Sequence, residues 1–499
     1  MTQYRDLVAN VTSLQALLGS VAAVVAFFIG RLFYNAFFHP LAKYPGPKSW
    51  GASELPSILS SVKGNIAWDV AALHEKYGSV VRIAPNELSY NTAQAWSDIY
   101  SSRPGLGQMP KHGGPEKNSE GFGRLNMTNA TIEDHSRMRR LVAHAFSDKA
   151  MREQEPIIQQ YVDLLMDKLH ERAGQKIDIV SWFNFTTFDL MGDLAFSESF
   201  HCLQQSQYHP WISMIFNNLK LMVYGNAARK IPGLTKLLMS ITPKKVIEEG
   251  QAHMQLAVAQ ANKRLAMRTD RNDIMSYIIK HNGKETGMSV EEIQANSYVI
   301  IIGGSETTAT LLSGCVYYLL TNPATLETLV EEIRSSFKSE NEITFANVSN
   351  LKYLLAVLNE ALRCYPPVPG ALPRAVPGDK GAIIDGAWVP SGTAVSVYQT
   401  AACRSPKNFR DPDAFVPERW LGDARYANDV RDACQPFGYG PRNCVGRNLA
   451  YMEMRIILAR LLWNFDLELC DESRNWREQK AFILYEKPPL MVKLTVKRR

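Results

Sequence analysis

Cys444 stands in the run Phe437-Gly438-Tyr439-Gly440-Pro441-Arg442-Asn443-Cys444-Val445-Gly446. Its three glycines open backbone conformations that other residues avoid, so the segment can close tightly around the sulfur with amide N–H groups aimed at it. Helical periodicity follows Gly446, and the positive end of a helix behind the loop favours thiolate over thiol. A shielded thiolate in a preorganised loop is a metal ligand by chemistry. Zinc is poorly supported, because no second Cys or His lies at ligand spacing from Cys444.

Three other constellations carry chemistry. Gly303-Gly304-Ser305-Glu306-Thr307-Thr308 lies within a long apolar-periodic segment. Gly303 and Thr307 are one helical turn apart, so the Thr307 hydroxyl can bond back toward the Gly303 carbonyl and loosen the helix, with the titratable Glu306 beside it. Taken alone, such glycines serve equally well at a helix–helix crossing. Glu360 and Arg363 share a helix face at i, i+3, and Arg419 in Pro417-Glu418-Arg419-Trp420 offers a second guanidinium. His135 and Arg139 stand at i, i+4 on another helix, and Arg374 follows Pro373.

The cysteine loop resembles the haem-binding signature F-x-x-G-x-R-x-C-x-G of the cytochrome P-450 superfamily, matched at every fixed position. That resemblance implies haem b with Cys444 as axial iron ligand, Phe437 covering the sulfur and Arg442 paired with a propionate. It implies an oxygen-activation motif in which Gly303 borders the haem, with Gly where Ala is commoner, and Glu306 and Thr307 deliver protons. Arg139 and Arg374 are implied propionate partners. His135 takes the position where relatives commonly carry Trp, which leaves it a propionate hydrogen bond. Glu360 is implied to be clamped by Arg363 and Arg419 in a structural role. Cys403 stands where relatives often have His, and packing is the expected role there.

The elements that must position these groups follow from composition and pattern. The chain has 499 residues, 46% hydrophobic and 21% charged, enough for a large core. Its net charge of +6 comes without a basic tail or Arg-rich run, so nucleic acid is not an expected partner. Seven cysteines without a C-x-x-C pair exclude a disulfide framework. Val11 to Ile29 carries no charge and Leu32 to Phe38 extends the apolar stretch, close to the roughly 20 residues of a spanning helix. Arg31, Lys43 and Lys48 follow it, which places the bulk of the chain on the cytosolic side.

The expected fold is mainly α with small β-sheets: a single large haem-thiolate domain of the cytochrome P-450 fold with an N-terminal transmembrane helix. The expected divisions are a membrane anchor over 1–38, a proline-rich hinge over 39–48 and the catalytic domain over 49–499. Val80 to Ile83 and Glu87 to Tyr90 read as a hairpin bent at Pro85-Asn86, and Arg103 to Ala130 as a long loop. Ser289-Val290-Glu291-Glu292 is a capping box that opens a helix reaching about Leu320. Lys352 to Cys364 is a further helix, Asp385-Gly386 a hairpin turn, and the last segments closing strands.

The activity implied is that of a monooxygenase placing one oxygen atom from O2 into a lipophilic substrate. Electrons are then expected from NADPH through a separate NADPH-cytochrome P-450 reductase, with cytochrome b5 as a second candidate donor. Arg137, Arg140 and Arg447 are expected to steer that acidic partner. The hinge and the segment Asp193 to Phe200 look like fungal microsomal members, nearest to the isotrichodermin C-15 hydroxylase-like group. That points to a terpenoid or polyketide of secondary metabolism and to the endoplasmic reticulum membrane. Family position would line the pocket from Arg103 to Leu125 and from Ile215 to Tyr224, with Asn296, Val299 and Ile300, Val368 to Leu372 and Phe482 to Leu484. Two other readings remain: a non-oxygenating thiolate-haem isomerase or dehydratase, which retention of Glu306 and Thr307 disfavours, and a haem-binding sensor without turnover.

Overall fold

The computed structural model describes all residues except 1, 114–124, 232, 243, 270, 272, 281–285 and 498–499. About half of the loop expected to border the pocket between Arg103 and Leu125, residues 114–124, therefore lies outside the described residues.

Thr2–Phe37 is one helix of 36 residues, longer at both ends than the uncharged core of the sequence pattern. Nothing breaks it before His39-Pro40. Its Gln15–Phe37 portion has mean hydropathy 2.1 and is exposed apart from the half-buried Asn35 and the buried Ala36 near its end. Those 23 residues rise about 35 Å, enough for a hydrocarbon core of about 30 Å. The length, composition and exposure of its apolar residues are those of a membrane anchor. The proline-rich segment behind it is docked on the body. Arg82 donates its backbone N–H to the Pro45 carbonyl at 2.7 Å and its Nη1 to the Asn35 carbonyl at 2.8 Å, and Leu41 is wholly buried.

Helices make up most of the body. The central one, Val290–Thr321, spans 32 residues, about 48 Å. It opens on the expected capping box: Ser289 Oγ accepts from Glu292 N at 3.2 Å, and Glu292 Oε2 accepts from Ser289 N at 2.9 Å. Although as apolar as a membrane span, it is mostly buried, packed against the helix Ile179–Phe196. The crossing is close because Gly304 has no side chain: a Cβ there would lie 2.4 Å from Met191 Sδ. Lys352–Cys364 is helical, and Arg447–Asn464 forms the helix behind the cysteine loop. One large apolar core runs through these helices, and a smaller one lies under the N-terminal sheet.

That sheet has four strands in the order Val80–Ala84, Glu87–Tyr90, Ala394–Val397, Arg374–Ala375. The first pair is the expected hairpin, the second pair is parallel, and Arg374 pairs antiparallel with Val395. Lys111 bridges to Arg374 on the outer edge. A second sheet joins Lys176–Asp178, Met491–Val496 and Phe465–Leu469. Asp385 and Gly386 turn the small hairpin Ala382–Val389 with φ of 49° and 78°, as the Asp-Gly pair requires.

Candidate active site

The loop before Arg447–Asn464 closes as its glycines demand. Gly438 and Gly440 have φ of 72° and 71°. A Cβ on Gly440 would stand 2.1 Å from the Tyr100 carbonyl oxygen, so side chains are excluded there twice over. Cys444 N donates to the Phe437 carbonyl at 2.7 Å, and Asn443 N donates to the Gly440 carbonyl at 3.0 Å. The Cys444 side chain is solvent-accessible, yet burial pushes its thiol above the ordinary range, against the pull of the Gly446 N–H, Arg139 and Arg447. The sulfur therefore sits deep in the molecule while facing open space. The other described cysteines are buried, apart from the half-buried Cys434, and all are unpaired thiols.

Five basic groups gather beside the loop. Arg442 Nη2 donates to the Ala130 and Thr131 carbonyls at 2.8 and 2.9 Å, while its Nη1 is buried without a partner. Burial and then Arg374 lower the Arg442 guanidinium to about 10. Lys111, which sequence reasoning missed, is lowered to about 7 by burial, Arg374 and Arg442. His135 is lowered to about 4 by burial and by Arg442, Arg139, Lys111 and Arg374. The neighbouring charges that shift these three groups most are all cationic. Arg374 bonds the Leu372 carbonyl at 3.1 Å and lies 5.0 Å over the Tyr100 ring. Mutual depression of this kind marks a site built for an anion.

Arg139 faces the same region but is engaged with the loop itself, at 2.5 Å to the Asn443 carbonyl and 2.8 Å to Asn443 Oδ1. Phe437 packs beside Tyr451, with ring centroids 5.3 Å apart.

On the central helix, Gly303 is exposed between half-buried neighbours, and a Cβ on it would meet nothing within 4 Å. Thr307 Oγ1 donates to the Gly303 carbonyl at 2.6 Å, the back-bond expected from the spacing. The two glycines thus divide their work: Gly304 permits the crossing with Met191, and Gly303 leaves an open face. Glu306 is buried, with Thr310 Oγ1 donating to its Oε1 at 3.2 Å.

The clamp around Glu360 is complete. Oε1 accepts from Arg363 Nη2 at 2.8 Å, Arg419 Nε at 3.0 Å and Val416 N at 2.8 Å. Oε2 accepts from Arg363 Nε and Trp420 Nε1, both at 2.9 Å. Cys403 is buried, its Sγ 3.2 Å from Cys434 Sγ.

Other expected residues fall apart from the site. Asn296, placed in the pocket by family position, is buried and structural: its Oδ1 accepts from Met127 N at 2.9 Å, and its Nδ2 donates to the Glu292 carbonyl at 2.8 Å. Arg137 is not a free cation, because Glu292 takes both its terminal nitrogens, at 2.6 and 3.0 Å. Arg140 and Arg447 are exposed.

An accessible thiol in a deep loop, a cationic cluster with a buried unpartnered guanidinium nitrogen and a helix face cleared by glycine suit a flat, anionic, metal-bearing macrocycle. The chain belongs to the cytochrome P450 family, whose match covers residues 46–494. It is 48% identical over 483 residues to a cytochrome P450 monooxygenase of Talaromyces wortmannii, covering 96% of this chain and 97% of the relative. An averantin hydroxylase of Dothistroma septosporum is 47% identical over 96% of this chain and 91% of its own length. A trichothecene C-4 hydroxylase of Trichoderma arundinaceum is 44% identical over 93% of this chain and 94% of its own. The protein is a cytochrome P450 monooxygenase of the fungal secondary-metabolite type.

Proposed function

We propose that the protein adds one oxygen atom from O2 to a terpenoid or polyketide intermediate, by hydroxylation or epoxidation, on the cytosolic face of the endoplasmic reticulum. Residues 1–38 would anchor it by a single pass, 39–48 would fix the body to the anchor, and 49–499 would form the catalytic domain. The observation that carries this reading is the Cys444 loop, whose backbone is fixed by Gly440 against Tyr100 and whose sulfur faces open space.

In this reading Cys444 ligates the haem iron, and Phe437 shields the sulfur from the side of Tyr451. Arg442, Arg374, His135 and Lys111 receive the haem carboxylates, which neutralise a cluster that otherwise repels itself. Two buried carboxylates without such partners would each cost several kcal/mol. Arg139 acts at one remove, by holding the Asn443 carbonyl. Bound haem supplies the reductive cleavage of dioxygen, which cysteinate ligation favours. The protein's share is orientation and protons. Thr307 keeps its hydroxyl at the edge of the open face, and Glu306 stands one residue away as the proton source.

Electrons would come from NADPH through a membrane-bound reductase, with cytochrome b5 as an auxiliary donor. With Arg137 neutralised by Glu292, the steering charges are Arg140 and Arg447; the latter borders a surface cleft of about 430 Å³ with Arg455 and Tyr451. Relatives named for hydroxylating averantin and for a trichothecene C-4 position support hydroxylation as the first reaction to test. The isotrichodermin C-15 hydroxylase-like group is the subgroup proposed.

The test is the full chain in microsomes with reductase and NADPH, supplied with candidate terpenoids and polyketides and read by mass spectrometry for one added oxygen. Cys444→Ser should lose both the product and the carbon-monoxide difference band. A variant that keeps both defeats the reading.

A further inference from the structure

Glu306 has a partner that the oxygen-activation motif does not contain. Lys487 Nζ is ion-paired with Glu306 Oε1, donates to Thr310 Oγ1 at 2.7 Å and lies 5.6 Å from the centre of the Phe216 ring. Both side chains are nearly sealed from solvent, at 2% and 6% exposure.

Lys487 is held there by a short strap that follows the hairpin Ala481–Tyr485. Glu486 N donates to the Lys480 carbonyl at 2.8 Å, and Trp476 Nε1 donates to the Pro488 carbonyl at 2.8 Å. Leu490 N donates to Asp178 Oδ1 at 2.9 Å. Pro488 and Pro489 fix φ directly after the lysine. Elaborate placement of a buried charge pair is a poor way to gain stability, since an apolar pair of equal volume does as well or better. The arrangement therefore calls for a chemical reason.

The surroundings supply one. Lys487 lines an open cleft of about 500 Å³ between the helices Ile179–Phe196 and Pro210–Arg229 and the strap. Inward of it, a void of about 10 Å³ touches Glu306, at the lower edge of what one water needs. Asn184, Ile212 and Phe216 border both spaces. Asn184 Oδ1 is buried without a hydrogen-bond partner, an acceptor aimed where such a water would sit.

We propose that Lys487 is the entry residue of the proton route to Glu306, relaying protons from water in the cleft to the carboxylate. The proposal rests on Glu306 and Thr307 delivering protons in turnover. In each cycle a Lys487 N–H bond breaks and a Glu306 O–H bond forms, leaving a neutral amine beside a carboxylic acid. Glu306 then releases its proton toward the Thr307 hydroxyl, and Lys487 regains one from hydronium in the cleft. The groups facing Lys487 are Glu306 and Thr310 on the central helix and Asp178 at the end of its strand. Lys220 and Glu486 pair with each other at the rim. Burial lowers the ammonium to about 7, with Asp178 pulling the other way, so both protonation states are available near neutrality.

The test uses the full-length holoenzyme with reductase and NADPH. It follows oxygen consumption and the share of oxygen released as hydrogen peroxide between pH 6 and 9. The wild type should slow as pH rises past about 7, where the relay loses its proton. Lys487→Met, which keeps the apolar bulk beside Phe216, should retain the carbon-monoxide band, turn over about tenfold more slowly and lose that alkaline limb. Lys487→Arg, charged throughout the range, should preserve the pairing and the fold but also lose the limb. In a Glu306→Gln background, Lys487→Met should add little, because the two act in one chain. An alkaline limb kept in Lys487→Arg, or losses that multiply in the double variant, overturns the relay. If Lys487→Met loses the band, Lys487→Arg alone decides. An indifferent Lys487 series in an enzyme that still needs Glu306 defeats this inference only; an enzyme indifferent to Glu306→Gln defeats the reading beneath it.

Discussion

The guanidinium of Arg139 grips Asn443 twice, at its backbone carbonyl (2.5 Å) and its side-chain carbonyl (2.8 Å), one residue before Cys444. A charged fork on a loop carbonyl fixes the loop more firmly than a single neutral bond, each contact contributing about 1.5–3 kcal/mol. Arg139→Ala should therefore loosen the loop and lower the carbon-monoxide band per mole of protein by half or more. Arg139→Lys, with one point charge and no fork, should fall between. Equal bands in all three proteins would show that the grip is idle.

Glu360 tests the haem-side core. Burial pushes its carboxyl up, but Arg363, Arg419 and the Val416 N–H outweigh that and hold it below its ordinary value of 4.5. A carboxylate depressed on folding adds stability that is full above about pH 4.5 and is lost as pH falls through the lower folded value. Denaturant unfolding between pH 3 and 7 should show this acid limb in the wild type. Glu360→Gln should lose it, and should be less stable at pH 7 by about 3–5 kcal/mol, because two buried guanidinium groups lose their counter-charge.

The legible parts of the sequence are those where chemistry and structure are local. The capping box at Ser289 and Glu292, the Asp385-Gly386 turn and the i, i+3 pair Glu360 and Arg363 each depend on neighbours within one turn, and each appears as read. Arg419 is legible only through the resemblance to the family's motifs, since no local rule joins it to Glu360. Long-range partners were not legible. Lys111 gave no signal as a member of the cationic cluster, because only strand pairing with Arg374 brings it there. Arg137 read as a free surface cation until the fold set Glu292 opposite it. Lys487 lies between the two segments that read as closing strands, and the one sequence hint is the lysine fixed before two prolines.

The cationic cluster predicts how firmly haem is kept. Arg442 Nη1 is buried and unpartnered, and Lys111 is held close to Arg442 and Arg374. Haem carboxylates would relieve both. Transfer of haem to a scavenging apoprotein should be faster in Arg442→Leu than in Lys111→Met, and both should exceed the wild type, by about tenfold or more for the arginine. Unchanged transfer in Arg442→Leu would remove this arginine from the haem site.

Glu453, on the helix behind the cysteine loop, gives the sharpest pH test. Both of its carboxylate oxygens are buried without a hydrogen-bond partner. Burial raises the carboxyl to about 8, with the Thr308 hydroxyl nearby pulling it down. The folded state therefore keeps the acid neutral at pH 7, while the unfolded chain ionises it from pH 4.5 upward. A carboxyl raised on folding opposes stability increasingly as pH climbs between those two values, by up to about 3 kcal/mol at pH 7. Glu453→Gln is neutral in both states and escapes this penalty. It should unfold at higher denaturant than the wild type at pH 7.5, and the advantage should shrink toward nothing near pH 4.5. An advantage that does not change with pH would mean that the substitution acts through packing, and that Glu453 is not protonated in the native protein.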